Sequence, residues 1–242
     1  MIRINPTHGV LLMIKNSEEI DYYSFVLEPS FKSDGSVHSW EILTRNVCKK
    51  NSNNEFSNEK LLPFYLLNEQ ERIDVFNKQL LIIPTLDPSR TEGKPISINV
   101  DSLISDYILC DRYLCDYIKQ HSNITVEINE GFHEFKKCSS MVELNSLSKL
   151  CPVWLDDFGR GFTSVKLLES FRFGCIKIDK DYFWEIENDF DFSEKLKKIK
   201  SYSDFVIVEG VEKIEQKKKV FSVDEIACQG RLWESHYYYI KC

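Results

Sequence analysis

Leu155-Asp156-Asp157-Phe158-Gly159-Arg160-Gly161-Phe162-Thr163-Ser164 reads as the end of a strand, two adjacent acids, a two-glycine loop and the start of a helix. The short apolar run at 153–156 has the length of a strand, and 163–171 is long enough for a helical turn or two. Two glycines within three residues allow a tight, movable connection between them.

The same unit recurs along the chain. β-branched or aromatic runs at 23–28, 38–43, 96–100, 125–129, 153–156, 175–178, 205–209 and 225–228 are candidate strands. From the second onward, segments of helical length separate them: 57–83, 102–121, 132–150, 163–171 and 182–202. Strand alternating with helix implies a parallel sheet. The first pair departs from this, because only 29–37 lies between its strands and a parallel crossover needs roughly a dozen residues or more. Asp34-Gly35 in that connection is a turn signal. The expected fold is an α/β, TIM-like (β/α) barrel with one antiparallel strand in an N-terminal hairpin. The 242 residues are expected to form one barrel domain, 1–242, since such barrels commonly take about 250 residues.

Composition narrows the function classes. The 31 basic and 38 acidic residues leave a net charge of -7, which argues against a polymeric nucleic acid or an anionic membrane as partner. No apolar stretch reaches the roughly 18 residues of a membrane span, and Met1-Ile2-Arg3-Ile4-Asn5-Pro6 lacks a signal-peptide core. A cytoplasmic location is expected. The eight cysteines contain no CxxC pair and read as reduced, mostly buried thiols. Lysine-rich 195–200 and 217–219 interleave with Leu196, Ile199 and Val220, the pattern of a solvated helix face. The five histidines show no ligand spacing and read as surface or turn residues, while Trp40, Trp154, Trp184 and Trp233 read as core.

Polar residues stand where the strand runs end: Glu41, Asn99, Glu127, Asp156-Asp157, Lys177, Glu209 and Gln229. In a βα barrel the carboxyl ends of the strands converge on one face, so residues far apart in sequence surround one mouth. Any one of these acids alone reads equally well as a solvated residue or a helix cap. Together they would repel, a unit-charge pair at 4 Å costing roughly 4 kcal/mol at an effective dielectric of 20, so cations must offset them. Oxygen donors without His or Cys favour hard cations such as Mg²⁺, Mn²⁺ or Ca²⁺. A carboxylate pair such as Asp156-Asp157 suits two bridged ions, and two ions suit displacement at phosphorus.

The opening segment resembles the DDFGTGYSSL loop of the EAL family of cyclic di-GMP phosphodiesterases. Glu41-Ile42-Leu43-Thr44-Arg45 is similar to EALLR, Ser97-Ile98-Asn99-Val100 to SVNLS and Val126-Glu127-Ile128-Asn129-Glu130 to LEITE. Ile176-Lys177-Ile178-Asp179-Lys180 resembles LKIDR, Val208-Glu209-Gly210-Val211-Glu212 AEGVE, and Cys228-Gln229-Gly230 AQGY, all in the family's order from about Phe25 to Trp233. The resemblance implies two metal ions, Mg²⁺ or Mn²⁺, held by Glu41, Asn99, Glu127, Asp156, Asp157 and Glu209. It implies that Lys177 positions or activates the attacking water, acting as a base only if neighbouring cations bring its pKa well below about 10.4. It gives Glu130 the role of steadying the loop after the aspartates, Gln229 that of supporting the site, and Arg45, Glu212 and Asp179 places at the substrate. Asp179 and Glu212 also read as caps of the helices that follow. The implied reaction is hydrolysis of cyclic di-GMP to linear pGpG, and the implied assembly a homodimer.

The chain departs from the family wording at several points. Ile42 replaces the signature alanine, Leu27-Glu28-Pro29-Ser30 stands where YQPI is usual, Arg160 replaces the loop threonine, and Arg231 replaces the aromatic after AQG. Glu28 is an added carboxylate near the substrate side, expected to weaken binding of an anionic dinucleotide. The rival reading is a barrel that binds cyclic di-GMP or a protein without cleaving anything.

Overall fold

The structure is a computed structural model that describes residues 20–49, 67–86, 91–130, 138–161, 165–233 and 236–241. All eight expected strands form. They are β1 (Ile20–Phe31), β2 (Val37–Lys49), β3 (Ile96–Asn99), β4 (Ile124–Asn129), β5 (Val153–Phe158), β6 (Phe173–Ile178), β7 (Ser203–Val208) and β8 (Ile226–Cys228). β2 to β8 pair in parallel, each with the next. β1 lies antiparallel to β2 along its length and meets β8 at the pair Phe31–Cys228, which closes the barrel. The turn between β1 and β2 is the expected one: Gly35 has φ 84°, and Asp34 Oδ1 accepts from the Ser36 backbone N–H at 2.9 Å. A ninth strand, β9 (His236–Lys241), pairs antiparallel with β1 and was not anticipated, because no turn signal links it to the strands before it.

The helices are α1 (Glu69–Ile82), α2 (Ser102–Cys110), α3 (Arg112–Gln120), α4 (Cys138–Leu147), α5 (Val165–Ser170), α6 (Lys180–Ile186), α7 (Phe192–Lys200) and α8 (Ile214–Val220). α1 begins at a capping box, with Asn68 and Glu71 exchanging backbone-to-side-chain hydrogen bonds at 2.9 and 3.0 Å. Two expected helices are each divided. The segment 102–121 breaks at Asp111, whose carboxylate accepts from the backbone N–H of Tyr113 and Leu114 and so starts a second helix. The segment 182–202 breaks over residues 187–191, where Asp189 accepts backbone N–H of Phe192. Parts of the segments 57–83 and 132–150 lie outside the described residues. Leu196, Ile199 and Val220 are buried while the lysines beside them face outward, as the interleaving predicts.

Apolar side chains between the outer face of the sheet and the helices form the main core. Inside the barrel lies a smaller layer of Trp154, Cys175, Ile207 and Ala227. Side chains two residues further along a strand point the same way, so Asp156, Lys177, Glu209 and Gln229 form the next layer up. Trp154, Cys175, Ile207 and Ala227 thus floor the polar layer on the β5–β8 side, and by the same alternation the buried Ser39, Ser97 and Thr125 lie beneath Glu41, Asn99 and Glu127. Below this floor, His38 stacks on Phe205 with ring centroids 3.7 Å apart. His38 is therefore a half-buried plug at the lower end of the barrel rather than a freely exposed residue, and burial pushes its pKa down to about 4.

Candidate active site

Lys177 stands at the centre of the polar layer, 1% exposed. Its ammonium lies 2.9 Å from Glu41 Oε2, 2.9 Å from Glu127 Oε2, 2.9 Å from Glu209 Oε1 and 3.1 Å from Asp156 Oδ1. Gln229 Nε2 donates to Glu41 Oε2 at 2.7 Å, and Asn99 Nδ2 donates to Glu41 Oε1 at 3.1 Å. Side chains from β2 to β8, or from the position just after the strand, thus meet around one buried ammonium, as barrel geometry requires.

Neighbours on a regular strand point to opposite faces, so Asp156 and Asp157 cannot share a site from an unbroken β5. The strand is interrupted between them. The β5–β6 register slips between Leu155 and Phe158, and Asp157 adopts φ 58°, a conformation retained by a residue with a Cβ only where its surroundings enforce it. Asp156, Asp157 and Glu209 each place a carboxylate oxygen within 4.8 Å of the others. Beyond the bulge, Gly159 N–H donates to Glu130 Oε1 at 3.1 Å, so the buried Glu130 anchors the loop that follows the aspartates.

The ring holds more negative charge than one lysine can offset. Burial, and then the neighbouring acids, pushes Glu127 well above the usual carboxylate range and raises Asp156. Burial pushes Glu209 up to about 8, and burial together with Asp156 pushes Asp157 up to about 6. Glu41 alone is lowered, since the Lys177 charge and hydrogen bonds from Lys177, Gln229 and Asn99 outweigh its burial. Burial by itself would lower Lys177, yet the surrounding carboxylates hold it well above the usual lysine value. The protein groups alone therefore keep Lys177 a cation, opposite to what a general base needs.

A divalent cation fits this arrangement. Glu127 Oε1 is buried without a hydrogen-bond partner, and Asp156 Oδ1 has the Lys177 charge beside it but no aligned donor. The available donors are carboxylate and amide oxygens, which suit hard cations.

The remaining candidates fall around this centre. Arg45 lies in β2, with its side chain outside the described set. Asp179 is 2% exposed and has both oxygens engaged: Oδ1 caps α6 through Asp181 and Tyr182 N–H, and Oδ2 accepts from Arg160. Glu212 does not cap α8. Gln216 Oε1 receives the backbone N–H groups there, while Glu212 pairs with Arg231 at 3.4 Å. A cleft of about 530 Å³ opens from Glu41, Asp156 and Glu209 past Glu28 and Glu212 to Trp184 and Trp233. Trp40 and Trp154 are core, as expected, but Trp184 is 39% exposed and lines this cleft. Its indole N–H is fixed on Gly210 O at 2.9 Å. A second cavity of about 280 Å³ lies on the Asn99 and Glu127 side, against Arg72 and Phe76 of α1.

A (β/α) barrel that gathers carboxylates around a buried lysine at the carboxyl end of its strands defines a barrel protein with an acidic pocket suited to divalent cations. Residues 34–235 match the EAL domain, and the chain belongs to that family. It is 24% identical over 212 residues to the cyclic di-GMP phosphodiesterase PdeH of Escherichia coli strain K12, covering 86% of this chain and 81% of PdeH. The EAL-like domain protein YdiV has the same fold, with a TM-score of 0.73 at 17% identity over 88% of this chain and 92% of that one. So does Klebsiella pneumoniae BlrP1 in its calcium and cyclic diGMP complex, with a TM-score of 0.63 at 17% identity over 91% of this chain and 59% of that one. Among the described residues no helix is long and apolar enough to cross a membrane.

Proposed function

We propose that the chain is a metal-dependent phosphodiesterase that hydrolyses cyclic di-GMP to linear pGpG. The observation that carries this reading is the convergence of Glu41, Glu127, Asp156 and Glu209 on Lys177, with Asp157 brought alongside by the bulge. In this reading Glu41, Asn99, Glu127, Asp156, Asp157 and Glu209 hold two ions, Mg²⁺ or Mn²⁺. Bound ions would polarise the phosphoryl oxygens and lower the pKa of a water. Lys177 would orient this water and, as an ammonium, steady the negative charge developing on the phosphate. Gln229 and Asn99 fix the Glu41 carboxylate, and Glu130 fixes the loop that carries Asp157. The water oxygen adds to phosphorus, one P–O ester bond breaks, and the proton passes to the leaving ribose oxygen. The cleft lined by Glu41, Asp156 and Trp184, about 530 Å³ in volume, leads to these carboxylates. The relationship to PdeH supports the choice of substrate.

The test is product analysis with purified protein, cyclic di-GMP and either Mg²⁺ or Mn²⁺. The expected result is pGpG from the wild type and none from Glu41→Ala. Tight binding of cyclic di-GMP without product would instead make the barrel a receptor.

A further inference from the structure

Arg160 is a second cation, at the edge of the site. Its guanidinium lies 3.2 Å from Asp157 Oδ2 and 3.0 Å from Asp179 Oδ2, and its Nε donates to Asp179 at 3.1 Å. Lys177 pairs with Glu41, Glu127, Asp156 and Glu209, whereas Asp157, at the edge of that ring, pairs with Arg160. The two cations divide the acidic cluster between them. They differ in enclosure. Lys177 rises from a strand and is fully enclosed, but the Arg160 side chain is 49% exposed. It sits between Gly159 and Gly161, with φ of 114° and 94°, in the loop behind the bulge.

We propose that Arg160 is a tethered cation that competes with a divalent ion for Asp157. The proposal rests on reading Asp156, Asp157 and Glu209 as a cation site. A carboxylate oxygen engaged by a guanidinium has a lone pair committed, so an ion entering the cluster must displace the arginine from Asp157 Oδ2 or bind through Oδ1 alone against the charge of the guanidinium beside it. The displaced guanidinium keeps a partner, because Asp179 is fixed as the cap of α6, accepts from Arg160 Nε and lies 3.0 Å from a second guanidinium nitrogen. Exchange at Asp157 therefore does not require the loop to unfold. An ordinary surface pair would be indifferent to the ion, but this one shares its acid with two other carboxylates whose oxygens lie within 4.8 Å. The resemblance places threonine at this loop position, a residue with no charge to compete, so the effect belongs to this chain in particular.

The experiment is Mn²⁺ binding, measured by calorimetry and by the electron-spin signal of free Mn²⁺, on the full chain without substrate. Arg160→Thr and Arg160→Gln are both expected to bind Mn²⁺ about tenfold more tightly than the wild type. In an Asp157→Asn background the same substitutions are expected to change nothing. Having two variants matters because Arg160 also braces the α6 cap, and glutamine retains more of its contacts there. Equal or weaker Mn²⁺ affinity in both folded variants overturns the proposal while leaving the cation site standing. Absence of Mn²⁺ binding in every form overturns the cation site and the proposal with it.

Discussion

Glu28 lies directly opposite Glu41 in the antiparallel β1–β2 ladder, and both line the cleft that leads to Lys177. Like charges directly opposite on one face oppose each other, and here the pair also faces the route an anionic dinucleotide would take. Glu28→Gln is expected to lower KM for cyclic di-GMP severalfold with little change in kcat, because Glu28 reaches the cleft but not Lys177. Steady-state kinetics on both forms decides it. An unchanged KM would place Glu28 away from the bound dinucleotide.

The acid ring predicts how stability depends on pH. Glu209 is raised from 4.5 to about 8, so between these values the folded state binds more protons than the unfolded chain, and stability falls as pH rises. The window from pH 6.5 to 8.5 lies above the range in which Asp157, at about 6, contributes. Thermal unfolding without metal is expected to shift down across that window by about 5 °C, at roughly 2–4 °C per kcal/mol for a domain of this size. Saturating Mn²⁺ should flatten the slope as well as raise the midpoint, because an ion replaces protons as the counter-charge. A slope that is the same with and without Mn²⁺ would mean that the ion does not reach these carboxylates.

His38 acts in the opposite sense and at lower pH. Its pKa falls from 6.5 to about 4 because burial against Phe205 and Trp154 disfavours the charged ring. The unfolded chain then binds the extra proton between those values, so stability is lost as pH falls below 6.5, by at most roughly 3 kcal/mol. His38→Phe keeps an aromatic plate in the stack and removes the titration. Its urea midpoint is expected to decline less than that of the wild type between pH 6.5 and 4.5. Parallel curves would show that the plug admits water.

The barrel was legible because its strands are dense in β-branched residues and a polar side chain stands at or near the end of each parallel pairing, as Glu41, Glu127, Lys177 and Glu209 do, although β2 itself runs on to Lys49. What escaped is decided by contacts across the fold. Asp111 divides a helix by offering its carboxylate to the backbone, a competition that apolar spacing does not record. His38 is half-buried because residues 154 and 205, on other strands, provide its stacking partners. Trp184 resembles a core residue in sequence, yet faces the cleft because its N–H is tied to Gly210 O. The alliance of Arg160 with Asp157 and Asp179 depends on the bulge at Asp156-Asp157. An acidic pair in sequence gives no sign of that bulge, since in a regular strand the two would point apart.

Gly159 links that bulge to the helix wall. Its φ is 114°, and a Cβ built there would lie 2.3 Å from the Tyr182 ring, so Gly159→Ala forces either Tyr182 or the loop to move. Tyr182 packs edge-on against Phe158, and its backbone N–H is held by Asp179, so the loop is the part that yields. Its N–H would then leave Glu130 Oε1, and Asp157 would lose the position that sets it beside Asp156 and Glu209. The expected outcome is a loss of kcat of about 100-fold, the scale on which roughly 1 Å of misplacement acts. Binding of cyclic di-GMP without metal should change far less, because the rest of the cleft is untouched. Glu130→Gln removes the same anchor's charge without a steric clash and should give a smaller loss in the same direction. If Gly159→Ala keeps full kcat, the loop does not govern where Asp157 sits.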